Sequence, residues 1–345
     1  MTTAVRCAVS VALALTAALL GLVLPARADR GVVETIRTRG HLVCGVGDGP
    51  KGYSHASPQG AWSGIGVDFC RALAAAVLGN KDAVVFRPLS TGGGFAALEA
   101  EQIDVLSGKV VMTSSLDTAL GIRFPGILVY DGQGFMVRKS QNIASVLEFS
   151  GARICIAGDA VDHQAIADYF AKQNMPVELA RFEKWPDAVM AYADKSCIAL
   201  SADLSTLALA RQELSDGDGH VILPEIASKR PIGPAVRQGD EDWFSIVRWS
   251  IYALVAAEEL GISAGNVEAA KSQTSTEVRR FLGLDVDLGK RLGLSADWAQ
   301  RIIRHVGNYG ELFERNLGQR STLKLERRLN NLASKGGLHY APSFR

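Results

Sequence analysis

Several residue groupings in this chain could carry chemistry, and most fail on spacing. Gly45-Val-Gly47-Asp-Gly49-Pro50 follows an apolar run, as a dinucleotide-binding turn would. Such a turn needs a third glycine and an immediate helix N-terminus to meet pyrophosphate. The third position is Pro50, and helical patterning resumes only near residue 66. Thr91-Gly-Gly-Gly94 lacks the following Lys-Ser/Thr of a phosphate loop. No Gly-x-Ser-x-Gly elbow is present. Tyr53-Ser54-His55 sets a serine beside a histidine, but adjacent side chains rarely align for base activation, so this run reads as a solvated loop. The six histidines form no His-x-x-x-His pair and the cysteines no Cys-x-x-Cys, which argues against zinc. The expectation is a protein without a cofactor, a metal or a catalytic set.

The N-terminus changes how the cysteines read. Arg6 precedes an apolar run from Ala8 to Leu24, and Pro25-Ala26-Arg27-Ala28 closes it. That is the pattern of a secretory signal peptide cut after Ala28, with about 17 apolar residues, at the short edge of a membrane span. Residues 1–28 are therefore set aside. Cys7 goes with them and lies before the apolar run, so it is not a lipoprotein cysteine. Four cysteines remain, Cys44, Cys70, Cys155 and Cys197. An even number in an oxidising compartment suggests two disulfides. Three pairings are open, and proximity in sequence favours Cys44–Cys70 with Cys155–Cys197; buried free thiols are the competing reading.

The elements that must hold these residues follow from composition and periodicity. The 345 residues are 48% apolar and 21% charged, an ordinary globular mixture with enough material for about two domains. Thirty-seven basic residues balance 36 acidic ones, so no basic excess points to a nucleic-acid partner. His41–Val46, Ala83–Leu89 and Ile103–Leu106 read as strands, alternating with helices at Val67–Leu78 and Phe95–Ala100. A second set has strands at Gly134–Arg138, Arg153–Ile156, Cys197–Leu200 and Val221–Leu223, with helices at Asp162–Gln173 and Pro186–Ala193. Helices then follow at Trp243–Leu260, Thr276–Leu282 and Ala296–Val306. Two α/β units with a helical tail result, joined through Tyr130–Gly134 and Lys229–Gly233. Two joints make the middle unit an insertion, with a cleft between the units and motion limited to hinge bending.

At this point the segments HLVCGV, GVDFCRALAAAV, IDVLSG, YDGQGFMVRKS, GPAVRQGDEDWFSIVRW and HVGNYGELFERNLG are familiar. They resemble the periplasmic solute-binding proteins, family 3, of polar and general L-amino-acid ABC transporters, and within them the general amino-acid-binding proteins of alpha-proteobacteria. The resemblance runs over residues 31–345. It implies an α/β, type II periplasmic-binding-protein fold with a helical C-terminal extension. Lobe 1 would comprise residues 29–130 and 234–345, and lobe 2 residues 131–233. It also implies a periplasmic monomer that closes on a small solute and docks on an inner-membrane permease. Relatives keep cysteines at the positions of Cys44, Cys70, Cys155 and Cys197, which supports the pairing favoured by proximity.

The departures from that family concern the ligand. Relatives hold the ligand α-carboxylate with an arginine a few residues past the IDVL strand, because a planar guanidinium can bind a carboxylate bidentately. Aligned on Asp104-Val-Leu106, the arginine position is Leu116 and a hydroxyl position is Val111. A Gly-Thr-Thr-type turn of lobe 2 is replaced by Gly158-Asp159-Ala160-Val161. Asp203 stands where relatives carry an acid for the ligand α-amino group. The expected ligand-binding positions are therefore Asp203, Lys109, Asp159, Val111, Leu116 and Tyr53. Lys109 reads either as a substitute cation or as a solvated lysine, Asp203 as an amine acceptor, a helix N-cap or both, Asp159 as an acceptor or a turn residue, and Tyr53 and Trp62 as cleft or core aromatics. Closing a cleft over a carboxylate without a cation leaves a desolvated charge, at a cost of several kcal/mol. An amine-bearing or cationic solute is the expected cargo. Two other classes compete: a non-transport sensor, and a periplasmic dehydratase, which the loss of arginine at position 116 disfavours.

Overall fold

The structure is a computed structural model and describes residues 31–47, 51–119, 121–158 and 160–345. The signal segment, part of the glycine-rich turn after Val46 and Asp159 lie outside the described residues. The chain opens with α1 (Val32–Arg39), β1 (Leu42–Val46) and α2 (Ile65–Leu78). Then come β2 (Val84–Pro88), α3 (Thr91–Glu99), β3 (Val105–Ser107) and the short α4 (Ser114–Ala119). The first sheet has the order β2-β1-β3, all parallel, with β1 in the middle. Strands β1 and β3 are buried, as a parallel sheet covered on both faces requires, which explains their apolar runs, whereas the edge strand β2 is half-buried to exposed. Helix α2 buries twelve of its fourteen residues and ends on Gly79 in the left-handed conformation, a common glycine stop.

The second sheet is built from β4 (Val129–Arg138), β5 (Ala152–Ala157), β6 (Val177–Phe182), β7 (Ala199–Asp203), β8 (His220–Ile222) and β9 (Ser228–Ile232). Helices α5 (Ala160–Ala171), α6 (Trp185–Ala193) and α7 (Leu204–Glu213) connect them. The order is β8-β4-β7-β5-β6, with β9 also on β4. Strand β4 is antiparallel to β7, β8 and β9, while β7, β5 and β6 run parallel. The mixed pattern follows from the two crossings. The first crossing enters the second lobe as the beginning of β4, and the second leaves it as β9.

The two joints are thus extended backbone, not irregular links. They pair with each other, Tyr130 opposite Pro231, Asp131 opposite Arg230 and Gly132 opposite Lys229. The strand expected at Gly134–Arg138 begins five residues earlier, because β9 supplies a partner for its first half. Pro231 is tolerated on β9, whose one neighbour among the described strands is β4; its carbonyl accepts from Met112 N at 2.8 Å. Gly233 ends this crossing where a side chain would meet the Gly126 carbonyl at 2.1 Å. The chain then pairs Ala235 with Leu106 of the first sheet, each backbone N–H donating to the other carbonyl at 2.9 Å.

Each lobe carries one disulfide. Cys44 of β1 is bonded to Cys70 of α2, and Cys155 of β5 to Cys197 just before β7. Helix α8 (Glu241–Glu259) packs on the first lobe, with Trp243 fully buried and its indole N–H on the Asp104 carbonyl at 2.8 Å. Helices α9 (Trp298–Val306) and α10 (Tyr309–Asn316) complete this lobe, α9 lying along α2. The residues after α10 do not stay on the first lobe. Arg327 is paired with Glu258 of α8, whereas its neighbour Arg328 donates to the Leu223 carbonyl beyond β8 at 3.0 Å. The Asn330 amide clips the first crossing, accepting from Tyr130 N at 2.7 Å and donating to Tyr130 O at 2.9 Å. The tail therefore spans both lobes and the crossing between them.

Candidate functional site

Asp203 ends β7 and occupies the N-cap position of α7, yet it makes no capping hydrogen bond. Its carboxylate is turned instead to two cations. Lys109 Nζ lies 2.7 Å from Oδ2 and Arg230 Nε 3.0 Å from Oδ1. Lys109 belongs to the loop after β3 in the first lobe, so its contact with Asp203 crosses the cleft. Gly108 sets the aim of that loop: its φ is +152°, a region that favours glycine, and it lies against Gly66 at the start of α2. A side chain on Gly66 would meet the Gly108 backbone at 2.7 Å.

A second carboxylate sits beneath this contact. Asp131, on the first crossing, is buried, and its Oδ2 accepts from Tyr53 Oη at 3.0 Å and from Ser205 Oγ at 2.6 Å. Its Oδ1 accepts from Gly132 N at 2.9 Å, and Lys109 Nζ is 4.0 Å away. Lys109 also donates to Thr206 Oγ1 at 3.3 Å and lies 5.7 Å from the centre of the Tyr53 ring. Arg230, opposite Asp131 on the second crossing, extends further to Asp162 of α5. Lys109 and Arg230 thus link three carboxylates, Asp131, Asp162 and Asp203, in one lattice.

Burial pushes the Asp203 carboxyl above the usual range; Lys109 opposes that shift and Asp131 adds to it. Tyr53 is held far above the usual phenol range, chiefly by burial and next by the Asp131 charge. Tyr53 is therefore a neutral donor, and the site can do ion pairing and hydrogen bonding. Among the described residues, no group of three or more His, Cys, Asp or Glu could hold a metal ion.

A cavity of about 310 Å³ opens on the lattice, lined by Asp203, Arg230, Asp162, Glu183, Trp185 and Thr206 among others. A larger one, about 560 Å³, lies between α7, β8 and the C-terminal tail. Its two arginines donate to backbone carbonyls, Arg211 to Leu323 and Arg328 to Ile222 and Leu223. The smaller cavity is the better ligand site, because convergent charged groups rather than volume fix an orientation.

The structure brings together three of the residues singled out from the sequence: Lys109, Asp203 and Tyr53. Val111 lies close by in the chain but is bridged through its backbone to Ile232 of the second crossing. Leu116, half-buried on α4, packs against the apolar cluster that includes Phe95, Ile122 and Phe124. Asp159 is outside the described residues. The run around Tyr53 is not a solvated loop: Tyr53 and Ser54 are buried, and Ser54 Oγ donates to the Gly47 carbonyl rather than to His55. Trp62 is half-buried beside Phe86. Sequence reasoning missed Asp131, Arg230 and Asp162. For the first two a signal existed, since both lie inside the segments recognised as crossings, and a crossing forms the floor of a cleft between lobes.

The sequence profile of bacterial extracellular solute-binding proteins, family 3, matches residues 42–263. The general L-amino acid-binding periplasmic protein AapJ of Rhizobium johnstonii is 45% identical over 92% of this chain and 94% of its own. The glutamate/glutamine/aspartate/asparagine-binding protein BztA of Rhodobacter capsulatus is 42% identical over 92% and 94%. Among solved structures, a periplasmic binding protein of an ABC transporter from Brucella ovis, with glutathione bound, is 43% identical. It covers 91% of this chain and 99% of its own, with a TM-score of 0.78. With two α/β lobes joined by paired crossing strands and a charged cleft between them, the chain belongs to the bacterial extracellular solute-binding proteins of family 3.

Proposed function

We propose that this chain is the periplasmic substrate-binding component of an amino-acid-type ABC importer, and that its cargo is a small amine-bearing or cationic solute. The relatives are named as periplasmic or ABC-transporter binding proteins, which supports a transport role and not an enzymatic or purely sensory one. The same names support a periplasmic location and an inner-membrane ABC permease as partner; export through the signal segment 1–28 and a monomeric working form complete the reading. Lobe 1 is residues 29–130 with 234–345, and lobe 2 is residues 131–233. The solute bridges them, and its higher affinity for the closed form drives hinge closure.

One observation carries the cargo assignment: the cavity on which Asp203 opens is lined by three acidic residues, Asp162, Glu183 and Asp203, and one basic residue, Arg230. A cationic solute suits that acidic lining, whereas an anion adds to its negative charge. Glu183 in the same cavity wall and the Trp185 ring favour a cation in the same way. At Leu116, where the family resemblance implies a carboxylate-binding arginine, the side chain is apolar. Lys109 and Arg230 are cations, but both are already engaged with carboxylates.

Isothermal calorimetry on a panel of amines and amino acids tests this reading. Cationic solutes should bind more tightly than neutral or acidic α-amino acids. Micromolar binding of several ordinary α-amino acids would overturn it. Glutathione belongs on the panel, because the Brucella ovis relative holds it; selective binding of glutathione would replace an amine by a peptide as the cargo.

A further inference from the structure

We infer that Lys109 is the specificity-determining residue of this cleft: a tethered ammonium that fills the amine acceptor of Asp203 and must be displaced by the ammonium of the solute. The inference rests on the reading that Asp203 receives the solute's amine.

The contacts of Nζ are those an incoming ammonium would make. It is 2.7 Å from Asp203 Oδ2, donates to Thr206 Oγ1 at 3.3 Å and lies over the Tyr53 ring at 5.7 Å. An acid, a hydroxyl and an aromatic face together form an ammonium site. Four methylene groups tether the occupant to the first lobe, and the acceptor is on the second, so the contact also holds the cleft shut.

The structure provides a second resting place for the displaced lysine. Asp131 Oδ2 is 4.0 Å from Nζ and buried on the crossing, next to Tyr53 and Ser205. A small swing of the side chain takes Lys109 from Asp203 to Asp131. No bond is made or broken in the exchange, and the charge of each group is kept. Neither ammonium is left unpaired in a partly desolvated site, the condition that would otherwise make the exchange costly.

Competition with a tethered group sets a threshold for the solute. A group on a short linker acts at an effective concentration in the millimolar range. A solute offering only one ammonium is at a disadvantage against it. A solute with a second donor gains a further contact on the cavity wall, where Glu183 lies with Asp162 and Trp185. The favoured class is therefore an extended amine with a second donor group, such as a diamine or a guanidino compound.

Calorimetry with methylamine, putrescine and L-arginine on the full mature chain provides the test, using wild type, Lys109→Met and Asp203→Asn. If the tethered ion fills the site in nine molecules of ten, its removal should tighten amine binding by about tenfold. The gain should persist at about 0.5 M salt, where repulsion beyond contact distance is screened. Small-angle scattering should show ligand-free Lys109→Met more open than wild type, and putrescine should close it again. Lys109→Ala, with a melting curve for each variant, separates a folding defect from a binding effect. Unchanged or weaker amine binding in both Lys109 variants would overturn the inference while leaving Asp203 as acceptor. Full amine binding by Asp203→Asn would instead remove the reading on which it rests. If wild type binds none of the three probes, Lys109→Met must uncover binding, and silence in both variants also overturns the inference.

Discussion

The two lobes share an architecture, a sheet with helices on its faces and one disulfide, but they contribute unequally to the cleft. Among the described residues, the first lobe presents one charge to this lattice, Lys109, on a glycine-aimed loop, and its neighbours Val111 and Leu116 are apolar and engaged in packing or backbone pairing. The second lobe and the crossings present Asp203, Asp162, Asp131 and Arg230. Electrostatic recognition is thus concentrated on one wall, and the opposite wall reaches it through a single long side chain. Such an arrangement can change its ligand preference by altering one lobe while the other, with the hinge, keeps its structure.

The largest effect expected from breaking this comparison lies in the two disulfides. They close loops of 26 and 42 residues by sequence separation. The chain-entropy account gives about 3.5 kcal/mol for Cys44–Cys70 and about 3.9 kcal/mol for Cys155–Cys197. Urea unfolding of the two double Cys→Ser variants should show large losses of similar size, the second-lobe variant losing about 0.4 kcal/mol more. A loss confined to one lobe would mean that the staples do not act alike.

Removal of the charge on the second wall comes next. Asp203→Asn leaves Lys109 and Arg230 without their shared carboxylate, and truncating one partner of a buried charged contact costs about 2–5 kcal/mol. Amine affinity measured by calorimetry should fall by roughly a hundredfold or more. Acidification should act in the same direction. Burial raises the Asp203 carboxyl, so it takes up a proton at a higher pH than an ordinary acid and amine binding fades early as pH falls. Affinity that is flat down to the ordinary carboxylate range would place the acceptor elsewhere.

A pH effect of a different kind belongs to the tail that spans both lobes. His339 is buried, with its ring against Tyr309 and Tyr130, and burial pushes its pKa down to about 3. A histidine in the unfolded chain titrates near 6.5, so the unfolded state binds the proton first. The stabilisation is complete above about pH 6.5 and is lost as pH falls through the folded value. It should amount to about 2 kcal/mol lost at pH 5 relative to pH 7.5. A His339→Phe variant, measured by thermal unfolding at both values, should lose that part of the acid sensitivity.

The smallest expected effect sharpens the first wall. Leu116→Arg puts a guanidinium where the family resemblance implies one, and affinity for the α-carboxylate of a neutral amino acid should rise by about tenfold, or 1.4 kcal/mol. Calorimetry with L-alanine reads it directly. No gain would mean that this side chain does not face the ligand, in keeping with its present packing against the Phe95 cluster.

Much of this architecture was legible in the residues, for reasons that differ by element. Parallel strands such as Leu42–Val46 are buried on both faces and leave an apolar run, and α2 leaves a helical stripe ended by glycine. Strand β9, Ser228-Lys-Arg-Pro-Ile, has neither mark, and its conformation depends on pairing with β4. Strand β6 escaped notice for a similar reason, since its exposed and half-buried residues mask the pattern. Helix α10 could have been delimited: Asn308 and Glu311 form a capping box whose spacing is visible in the chain. For the site, Asp203, Lys109 and Tyr53 were singled out, but not the way they meet. Asp131 and Arg230 lie ninety-nine positions apart, and they become opposite neighbours only when the two crossings pair.

The sequence by itself determined the two α/β units, the favoured cysteine pairing and the family, because these depend on local periodicity, composition and motif. Tertiary structure alone decided that Asp203 forgoes capping its own helix for two cations, that Lys109 reaches it from the opposite lobe, and that the C-terminal tail ties both lobes together. Such partnerships join residues far apart in the chain, and their energy depends on distance and burial, which residue order alone does not specify.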